Sequence, residues 1–376
     1  MKKIFTKIVA CVMLVVLTIS TAVLGGCADF KDLWKHIESA LKDYINQVKE
    51  TPRETLELSG DFSIHFLMLG NEYAGDCVYI KAGENDILID AGSRKSSVDT
   101  IEEYLDGYVQ DDKLEFVIAT HADQDHIAGF AKADGIFARY ECETIIDFAR
   151  SDKDTATYED YIANRDAEVE AGAKHYTALE CYKGEDGANR VYTLGDGIKM
   201  EILYNYYYDH DSSDENNYSV CLLFQHGDRY FLLTGDLEEE GEEYLVEFNN
   251  LPEVELFKAG HHGSKTSSND VLLNVIKPKM SVVTCVAGTD EYTDTPENQF
   301  PTQKFIDRIA KHTDKVYCTT IGDKNYTDGA DFAPMNGNVV VMSEQDKINV
   351  VCSNNDVLLK DTAWFKANRK TPSAWK

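Results

Sequence analysis

The chain has 376 residues and a formal net charge of −29, with 43% hydrophobic and 11% aromatic residues. These proportions suffice for a packed core and exclude an intrinsically disordered chain. A surface this acidic repels phosphate backbones, which excludes tight non-specific nucleic-acid binding unless metal ions or a local basic patch offset the charge. The length accommodates one large domain or two ordinary domains.

The first 26 residues have the pattern of a targeting segment rather than of a folded domain. A basic start precedes an apolar run over residues 8–19, and a Leu-Gly-Gly-Cys motif ends at Cys27. This pattern resembles a bacterial lipoprotein signal, which implies cleavage before Cys27 and acylation of that cysteine. We therefore expect a signal peptide over residues 1–26 and an extracytoplasmic protein that is lipid-anchored to the bacterial cell membrane. An uncleaved membrane anchor is the alternative, because the apolar run is close to spanning length.

Residues 27–56 follow a helical pattern. Phe30, Trp34, Ile37 and Leu41 recur at intervals of three or four, and Pro52 ends the pattern. We expect a membrane-proximal stalk helix that packs back on the following domain. A helix that binds a partner is the alternative, and the sequence indicates no dedicated protein partner.

The cysteines do not form a disulfide framework. Nine are present, and Cys11 and Cys27 belong to the amino-terminal segments. The other seven are odd in number and form no close pairs. Several lie inside apolar runs, so we expect buried free thiols.

From residue 57 onward the pattern changes to strands. Apolar runs at 62–69, 77–80 and 86–90 predict three strands, and a helix is expected over 96–109 before a strand at 116–118. Hairpins followed by alternating helices and strands are typical of a mixed sheet with helices outside it.

Four candidate metal ligands follow the strand at 116–118: His121, Asp123, Asp125 and His126. A loop at the carboxyl end of a strand can direct two imidazoles and two carboxylates at one point, which suits a pair of divalent metal ions. A polar turn between a strand and a helix is the alternative interpretation.

Two later strands end in the same way. The strand predicted at 229–234 precedes Asp236, and the strand predicted at 254–259 precedes His261 and His262. Three apolar strands that each end in candidate ligands indicate one metal site at the edge of a sandwich.

Further elements are expected in the rest of the chain: a short helix at 127–137, a helix-prone segment at 155–180, a hairpin at 191–203, strands at 281–287, 315–319, 338–342 and 348–352, and helices at 238–247 and 302–312. No internal repeat or low-complexity linker interrupts them. We therefore predict one catalytic domain over 57–345 and a C-terminal extension over 346–376.

These motifs resemble the metallo-β-lactamase fold superfamily, whose signature is His-x-His-x-Asp-His. The variant beginning at His121, with Asp123 in place of the second histidine, is closer to the hydrolase domain of the ComEC competence-protein family. Further matches to that family are Gly75-Asp76, Asn216-Asn217, Leu232–Asp236 and Lys258–Lys265. The resemblance covers roughly residues 60–345 and implies an α/β (α+β) fold, a four-layer αββα metallo-β-lactamase sandwich with its metal site at one edge.

The chain departs from the family at three points. Phe300-Pro301 stands where the family commonly has His-Pro, and no histidine precedes Ser219 where the superfamily places its middle ligand. No run of the sequence matches the multi-span membrane channel of ComEC. These departures weaken the inference from the family to the substrate and to DNA uptake more than they weaken the inference to the fold.

The resemblance offers seven candidate ligands for two divalent metal ions, manganese or zinc: His121 and Asp123 for the first ion, Asp125 and His126 for the second, Asp236 as the bridge, and either His261 or His262 to complete the set. Asp125 and Asp236 are the residues expected to act in catalysis. Asp123 in place of a histidine makes the first site harder, which favours manganese over zinc.

Three residues are candidates for substrate contact. Ser264 and Lys265 could bind a phosphate, because a hydroxyl and an ammonium are suitable donors, or they could cap the next helix. Asn217 is the third candidate. The tyrosine-rich loop at 204–208 could stack bases or sugars, or it could pack only against its own loop.

The expected function is a phosphodiesterase or nuclease that works through a metal-bridged hydroxide, with DNA or a nucleotide as a candidate substrate. One alternative is a catalytically idle metal-binding or scaffold lipoprotein with the same fold. The other is a different esterase or lactamase activity of that fold. Carboxylates clustered this densely would repel one another without a metal ion, which favours the enzyme.

Overall fold

Two eight-stranded mixed sheets form the interior of the structure, a computed structural model that describes residues 56–323, 331–344 and 347–376. The predicted signal peptide, the lipidation site Cys27 and the predicted stalk helix, except for Leu56, lie outside the described residues. Within the described residues, no helix is long and apolar enough to cross a membrane.

The described strands are β1 (Phe62–Phe66), β2 (Val78–Ala82), β3 (Asn85–Ile89), β4 (Lys113–Ile118), β5 (Glu141–Asp147), β6 (Lys174–Thr177), β7 (Val191–Gly195), β8 (Ile198–Ile202), β9 (Leu222–His226), β10 (Arg229–Leu233), β11 (Leu256–Lys258), β12 (Met280–Ala287), β13 (Val316–Gly322), β14 (Phe332–Pro334), β15 (Val339–Ser343) and β16 (Ile348–Cys352). The described α-helices are α1 (Val98–Leu105), α2 (Gln124–Ile127), α3 (Ile136–Arg139), α4 (Ala156–Ala171), α5 (Ala178–Lys183), α6 (Glu239–Phe248), α7 (Asp270–Ile276), α8 (Gln303–Ile309) and α9 (Ala363–Asn368).

Each of the two sheets contains one run of four parallel strands. The first has the order β16-β15-β1-β2-β3-β4-β5-β6, and the second has the order β14-β13-β12-β11-β10-β9-β8-β7. The run β3-β4-β5-β6 is parallel in the first sheet, and the run β10-β11-β12-β13 is parallel in the second. The other neighbours are antiparallel. Parallel strands place their carboxyl ends at one edge, where ligands of α/β sheets bind.

Strand β1 shows how the layers are stacked. Alternate residues of a strand face opposite sides of the sheet. The ring of Phe62 lies 5.1 Å from that of Phe231 on β10, so one face of β1 packs against the second sheet. His65 faces the other way and makes a 2.7 Å hydrogen bond through Nδ1 to the Tyr104 hydroxyl of α1.

A second core covers the outer face of the second sheet. Leu245 of α6, Leu272 of α7 and Ile306 of α8 pack there with Phe257 of β11. Helices therefore flank two stacked sheets, and the predicted αββα metallo-β-lactamase sandwich is confirmed.

Several local predictions differ from the structure. The helix-prone segment at 155–180 divides at Gly172, whose φ of 126° ends α4, and β6 and α5 follow. Strand β6 is polar and only partly buried, so its hydrophobic pattern is weak. The short helix predicted near 127–137 is instead the two one-turn helices α2 and α3.

The carboxyl-terminal residues pack with the rest of the described chain. Strand β16 pairs with β15 at the edge of the first sheet, and Phe365 and Trp375 are buried in the second core. The seven described cysteines are all free and six are buried, as the sequence predicted.

Candidate metal centre

The motif loop lies between β4 and α2, at the carboxyl edge of the first sheet. Since β3 and β4 are parallel neighbours, Asp90, which follows β3, lies beside the loop that follows β4. Asp90 Oδ1 accepts a hydrogen bond from the Thr120 amide over 2.8 Å, and its Oδ2 accepts one from His126 Nδ1 over 2.7 Å. A carboxylate on Nδ1 fixes the ring of a metal-binding histidine and leaves Nε2 available.

The second sheet brings Asp236 to the same place. Strand β10 turns sharply at Gly235, whose φ is 55°, and a Cβ there would lie 2.8 Å from Ser219 Oγ. Ser219 Oγ also accepts a hydrogen bond from the Asp236 amide over 3.1 Å. Strands β10 and β11 are parallel neighbours, so the turn Gly260–Gly263 after β11 lies beside Asp236.

Four side chains converge at this edge: Asp125, His126, Asp236 and His262. Each offers one ligand atom, and these atoms all lie within 4.8 Å of one another. His126 Nε2 lies 3.1 Å from Asp236 Oδ2. His262 Nε2 lies 3.2 Å from Asp236 Oδ2 and 3.2 Å from Asp125 Oδ2. The two sheets therefore contribute two ligands each to one buried cluster.

The structure separates the two adjacent histidines. His262 is buried, and its Nδ1 donates a 2.8 Å hydrogen bond to the Thr284 carbonyl, which leaves Nε2 facing the cluster. His261 lies outside the cluster, where its Nδ1 is 3.3 Å from Glu238 Oε1. Both residues have positive φ, 46° and 53°, and this backbone turns their side chains apart. Of the two candidates, His262 is therefore the one placed to complete a ligand set.

His121 and Asp123 lie next to the four-residue cluster. The His121 ring is 4.1 Å from that of His126, and His121 Nε2 is 3.6 Å from Asp123 Oδ2. The other oxygen of Asp123 is ion-paired with Lys153. The pair predicted to hold the first ion is thus adjacent to the set predicted to hold the second.

Charge in the centre is nearly balanced. Burial lowers the pKa of His262 and His126, but the surrounding carboxylates, Asp236 first among them, together outweigh this and raise both well above the ordinary value. Burial raises the pKa of Asp236, but these two imidazoles outweigh it and hold the pKa well below the ordinary range. In the absence of a metal ion, protons on the imidazoles would therefore neutralise the carboxylates.

A second layer of polar groups supports the cluster. Asp76 is buried, is ion-paired with Lys258 and accepts a hydrogen bond from the Thr284 hydroxyl. Lys258 Nζ also lies 3.8 Å from Asp236 Oδ1. Asp76 and Asp90 could also form a metal-binding group with His126, but Asp90 already accepts hydrogen bonds from Thr120 and His126, and Asp76 Oδ2 is already ion-paired with Lys258. They orient and neutralise the ligands.

The donor set fits divalent metal ions. Two imidazoles and two carboxylates are ligands that zinc and manganese both accept. Of seven buried side-chain atoms without a hydrogen-bond partner among the described residues, two are His121 Nε2 and Asp236 Oδ1. Such orphaned atoms are rare unless something else binds them. Both atoms belong to residues that the sequence predicted as ligands.

The three predicted substrate contacts lie apart from these ligands. Asn217 is buried, and its Oδ1 accepts a hydrogen bond from the Glu238 amide over 3.2 Å. Ser264 Oγ lies 3.0 Å from Thr266 Oγ1, and Lys265 is exposed. Across the described ranges, none of the three makes a hydrogen bond to the four clustered side chains. Their role in substrate binding stays a prediction.

The superfamily's middle histidine has no replacement among the acidic and amide residues before Ser219. Glu215 accepts a 3.3 Å hydrogen bond from the Ala122 amide, and Asp214 accepts one of 3.1 Å from the Asn216 amide. Ser219 Oγ itself lies 3.5 Å from His121 Nδ1. This stretch therefore supports the motif loop without adding a ligand.

Sequence reasoning gave no role to Asp76, Asp90, Lys258 or Thr284. Asp90 had a detectable signal, because it ends the apolar run at 86–90 as the recognised ligands end theirs. Asp76 and Lys258 lie within matches to the ComEC family, but those matches gave them no role. Thr284 carries no such signal, since only the packing of the two sheets brings it under the ligands.

Comparisons with known proteins agree with this geometry. The family model described as the metallo-beta-lactamase superfamily matches residues 70–138. The chain is 27% identical over 222 residues to ComE operon protein 3 of Bacillus subtilis (strain 168), covering 57% of this chain and 24% of that protein. It is 29% identical over 143 residues to competence protein ComA of Neisseria gonorrhoeae, covering 38% of this chain and 19% of that protein. The chain thus spans about a quarter or less of the length of these relatives.

Among solved structures, the metallo-β-lactamase fold protein YhfI from Bacillus subtilis matches with a TM-score of 0.41 and 13% identity, covering 73% of this chain and 99% of that chain. The fold assignment rests on the sheet topology and the sequence matches rather than on this score. The chain is a metallo-β-lactamase-fold protein of the metal-dependent hydrolase class, similar to the ComEC family of competence proteins.

Proposed function

We propose that this chain is a phosphodiesterase or nuclease that acts outside the cytoplasmic membrane. The observation that carries the proposal is the convergence of Asp125, His126, Asp236 and His262 from two sheets, with ligand atoms within 4.8 Å. Divalent ions held there would supply a hydroxide at neutral pH and stabilise negative charge on the oxygens of a phosphodiester.

The chain's own residues prepare the site for such ions. Asp90 and the Thr284 carbonyl hold His126 and His262 through their Nδ1 atoms, so both rings present Nε2. Lys258 places a buried positive charge beneath the carboxylates and limits their mutual repulsion. These groups keep the ligands ready without a rearrangement of the backbone.

We further propose that the cofactor is a pair of divalent ions, with manganese ahead of zinc. The two carboxylates of the cluster and the neighbouring Asp123 are hard oxygen donors, which suit manganese. His121 and Asp123 would hold the first ion beside the Asp125–His126–Asp236–His262 set, with Asp236 shared between the two.

The substrate proposal draws on the relatives as well as on the site. One relative is named competence protein ComA, and a third relative, from Haemophilus influenzae, is named recombination protein 2. These names favour a nucleic acid or nucleotide among phosphodiesters. The net charge of −29 disfavours long DNA unless metal ions or a local basic patch offset it.

An activity panel tests the proposal. The purified full chain with Mn²⁺ or Zn²⁺ is offered single-stranded DNA, bis-p-nitrophenyl phosphate and a chromogenic cephalosporin. We expect phosphodiester cleavage that is lost in Asp125→Ala. Cleavage of the cephalosporin alone would show a lactamase instead. No turnover would favour an idle metal-binding or scaffold protein, and equal turnover by the variant would show that the cleavage does not come from this site.

Lipid anchoring is tested separately. The proposed anchor is acyl chains on Cys27, so mass spectrometry of the membrane-bound protein is expected to show a chain that begins at Cys27 and carries acyl groups, and Cys27→Ser should lack them. An unmodified protein that retains residues 1–26 would contradict the lipid anchor and favour an uncleaved spanning segment.

A further inference from the structure

Tyr292 reaches the metal centre from the segment between β12 and α8. Its hydroxyl donates a 3.0 Å hydrogen bond to Asp125 Oδ2, the oxygen that also faces His262 Nε2 at 3.2 Å. The residue is nevertheless 52% exposed. Tyr292 therefore lies between the ligands and solvent, on the side from which a substrate could arrive.

The preceding residue fixes this position. Glu291 Oε2 accepts a hydrogen bond from the Ala74 amide over 2.9 Å, and Oε1 forms a 2.7 Å ion pair with Arg94 Nη2. The guanidinium of Arg94 in turn lies 4.1 Å from the ring centre of Tyr73. The segment that carries Tyr292 is thus attached to the part of the chain that precedes the motif loop.

The wall beside Tyr292 is apolar. The Phe300 ring lies 5.3 Å from the Tyr292 ring and 5.7 Å from the His262 ring. Phe300 offers no hydrogen-bond donor, whereas a tyrosine hydroxyl, with an ordinary pKa near 10, keeps its proton at neutral pH. Of these two side chains, Tyr292 is therefore the one that can donate a hydrogen bond.

A phosphodiester presents two charged non-bridging oxygens that accept hydrogen bonds. Donors that are already positioned where charge develops stabilise a transition state, because they need no reorganisation during the reaction. The single proton of the Tyr292 hydroxyl is directed at Asp125 Oδ2 over 3.0 Å, and rotation about the C–O bond alone would turn it to an oxygen of a phosphate bound at the same ligands. A neutral donor also adds no charge to compete with the metal ions.

We propose that Tyr292 is a further substrate-contacting residue, whose hydroxyl donates a hydrogen bond to a non-bridging phosphate oxygen, and that Glu291 positions it. This inference rests on the proposed phosphodiesterase function for its chemistry. It predicts that Tyr292 acts on the bound phosphate and not on the retention of metal.

The test compares Tyr292→Phe with Tyr244→Phe, a tyrosine change on α6 outside the ligand cluster, in the purified full chain loaded with Mn²⁺. We expect kcat for bis-p-nitrophenyl phosphate to fall roughly 10- to 100-fold in Tyr292→Phe, since a hydrogen bond to a charged group is worth about that much. The metal content should match the parent. The difference in kcat between the parent and Tyr292→Phe should be smaller with a phosphorothioate substrate, because sulfur accepts hydrogen bonds weakly.

Calorimetry with inorganic phosphate gives a readout that does not depend on turnover. We expect Tyr292→Phe to weaken phosphate binding about tenfold. Glu291→Gln should weaken phosphate binding when it is introduced into the parent, but it should cause no further loss of affinity in the Tyr292→Phe background. A purely structural role for Glu291 would not produce this difference.

The possible results divide clearly. Unchanged phosphate affinity in Tyr292→Phe would overturn the inference, and so would a loss of metal, because the hydroxyl would then serve only to hold Asp125. If the parent cleaves no phosphodiester, the proposed function fails, and the phosphate titration still decides whether Tyr292 contacts the ligand.

Discussion

Two buried carboxylates of this molecule occupy similar positions at the end of a strand, but the side chains that surround them differ. Asp147 ends β5 and Asp236 follows β10, and both are 1% exposed next to a histidine. Asp147 accepts hydrogen bonds from His175 Nε2 over 2.9 Å, Arg165 Nη1 over 2.9 Å and the Tyr161 hydroxyl over 3.0 Å. Protein donors alone therefore satisfy the Asp147 cluster.

Protein donors do not fully satisfy the Asp236 cluster. Its neighbours within the cluster are another carboxylate and two imidazoles, and Asp236 Oδ1 has no hydrogen-bond partner among the described residues. The Asp147 cluster borders an open cavity of about 960 Å³, yet none of its four polar side chains is left unpaired in the described part of the chain. Four converging ligand side chains that include an unsatisfied oxygen, rather than a cavity or an Asp–His contact, therefore distinguish the site that fits a metal ion.

The largest expected effect is on the metal centre itself. Asp236→Asn removes a charge that is placed to be shared between two ions, so we expect kcat for a phosphodiester to fall at least about 1,000-fold, roughly 4 kcal/mol of transition-state stabilisation. Elemental analysis should show less bound metal, and far-UV circular dichroism should be unchanged. Retained metal together with retained turnover would place the chemistry elsewhere.

The matched change is Asp147→Asn. It leaves the Arg165 charge without its buried partner, so we expect the free energy of unfolding to fall by about 3 kcal/mol. Metal content and kcat of the folded fraction should stay within twofold of the parent. Urea titrations and elemental analysis on the same sample measure both quantities, and a loss of metal would remove the distinction between the two clusters.

A smaller effect is expected from the group that orients His126. Asp90→Asn weakens the acceptor for His126 Nδ1, and such changes behind a ligand typically lower metal affinity 10- to 100-fold. The matched control is Asp86→Asn at the other end of β3, where Asp86 interacts with Tyr79 and Lys81. Competition with a metal-binding dye measures both affinities, and equal values would show that Asp90 does not act through His126.

The smallest effect concerns a buried acid that has donors but no cation in close contact. Burial raises the pKa of Glu242 to about 7, against hydrogen bonds from Asn269 and Ser268 that lower it. Since the folded pKa lies above the unfolded one, Glu242 contributes stability below about pH 4.5 that is lost as pH rises through 7.

Relative to Glu242→Gln, the parent should therefore gain roughly 2 kcal/mol in the free energy of unfolding between pH 8 and pH 5. Urea titrations at each pH measure the difference, with the exposed Glu247→Gln on the same helix as the control. A constant difference between parent and Glu242→Gln would show that Glu242 stays ionised throughout.

The sequence predicted the sandwich and named the four side chains that cluster at its edge, because both depend on local patterns. Apolar strands that end in His121–His126, Asp236 and His262 are visible along the chain, and parallel strands bring such ends together. The choice between His261 and His262 was not visible, since it depends on two consecutive residues with positive φ. Tyr292 was also missed, because the ion pair between Glu291 and Arg94 spans 197 positions of sequence.

The substrate-facing predictions illustrate the other limit. Asn217, Ser264 and Lys265 were chosen by residue type and by proximity in sequence to the ligands. In the structure Asn217 instead hydrogen-bonds the amide at Glu238, where α6 begins, and that position depends on how the loop before β9 packs against α6. Residue type indicates which chemistry is available, but tertiary packing decides where a side chain points.

Anomalous diffraction from crystals of the full chain grown with Mn²⁺ tests the central claim most directly. The expected result is a strong peak among Asp125, His126, Asp236 and His262, with a second peak beside His121 and Asp123, and none at Asp147. Well-ordered crystals without a peak in that cluster, or with metal at Asp147 and His175 instead, would contradict the account.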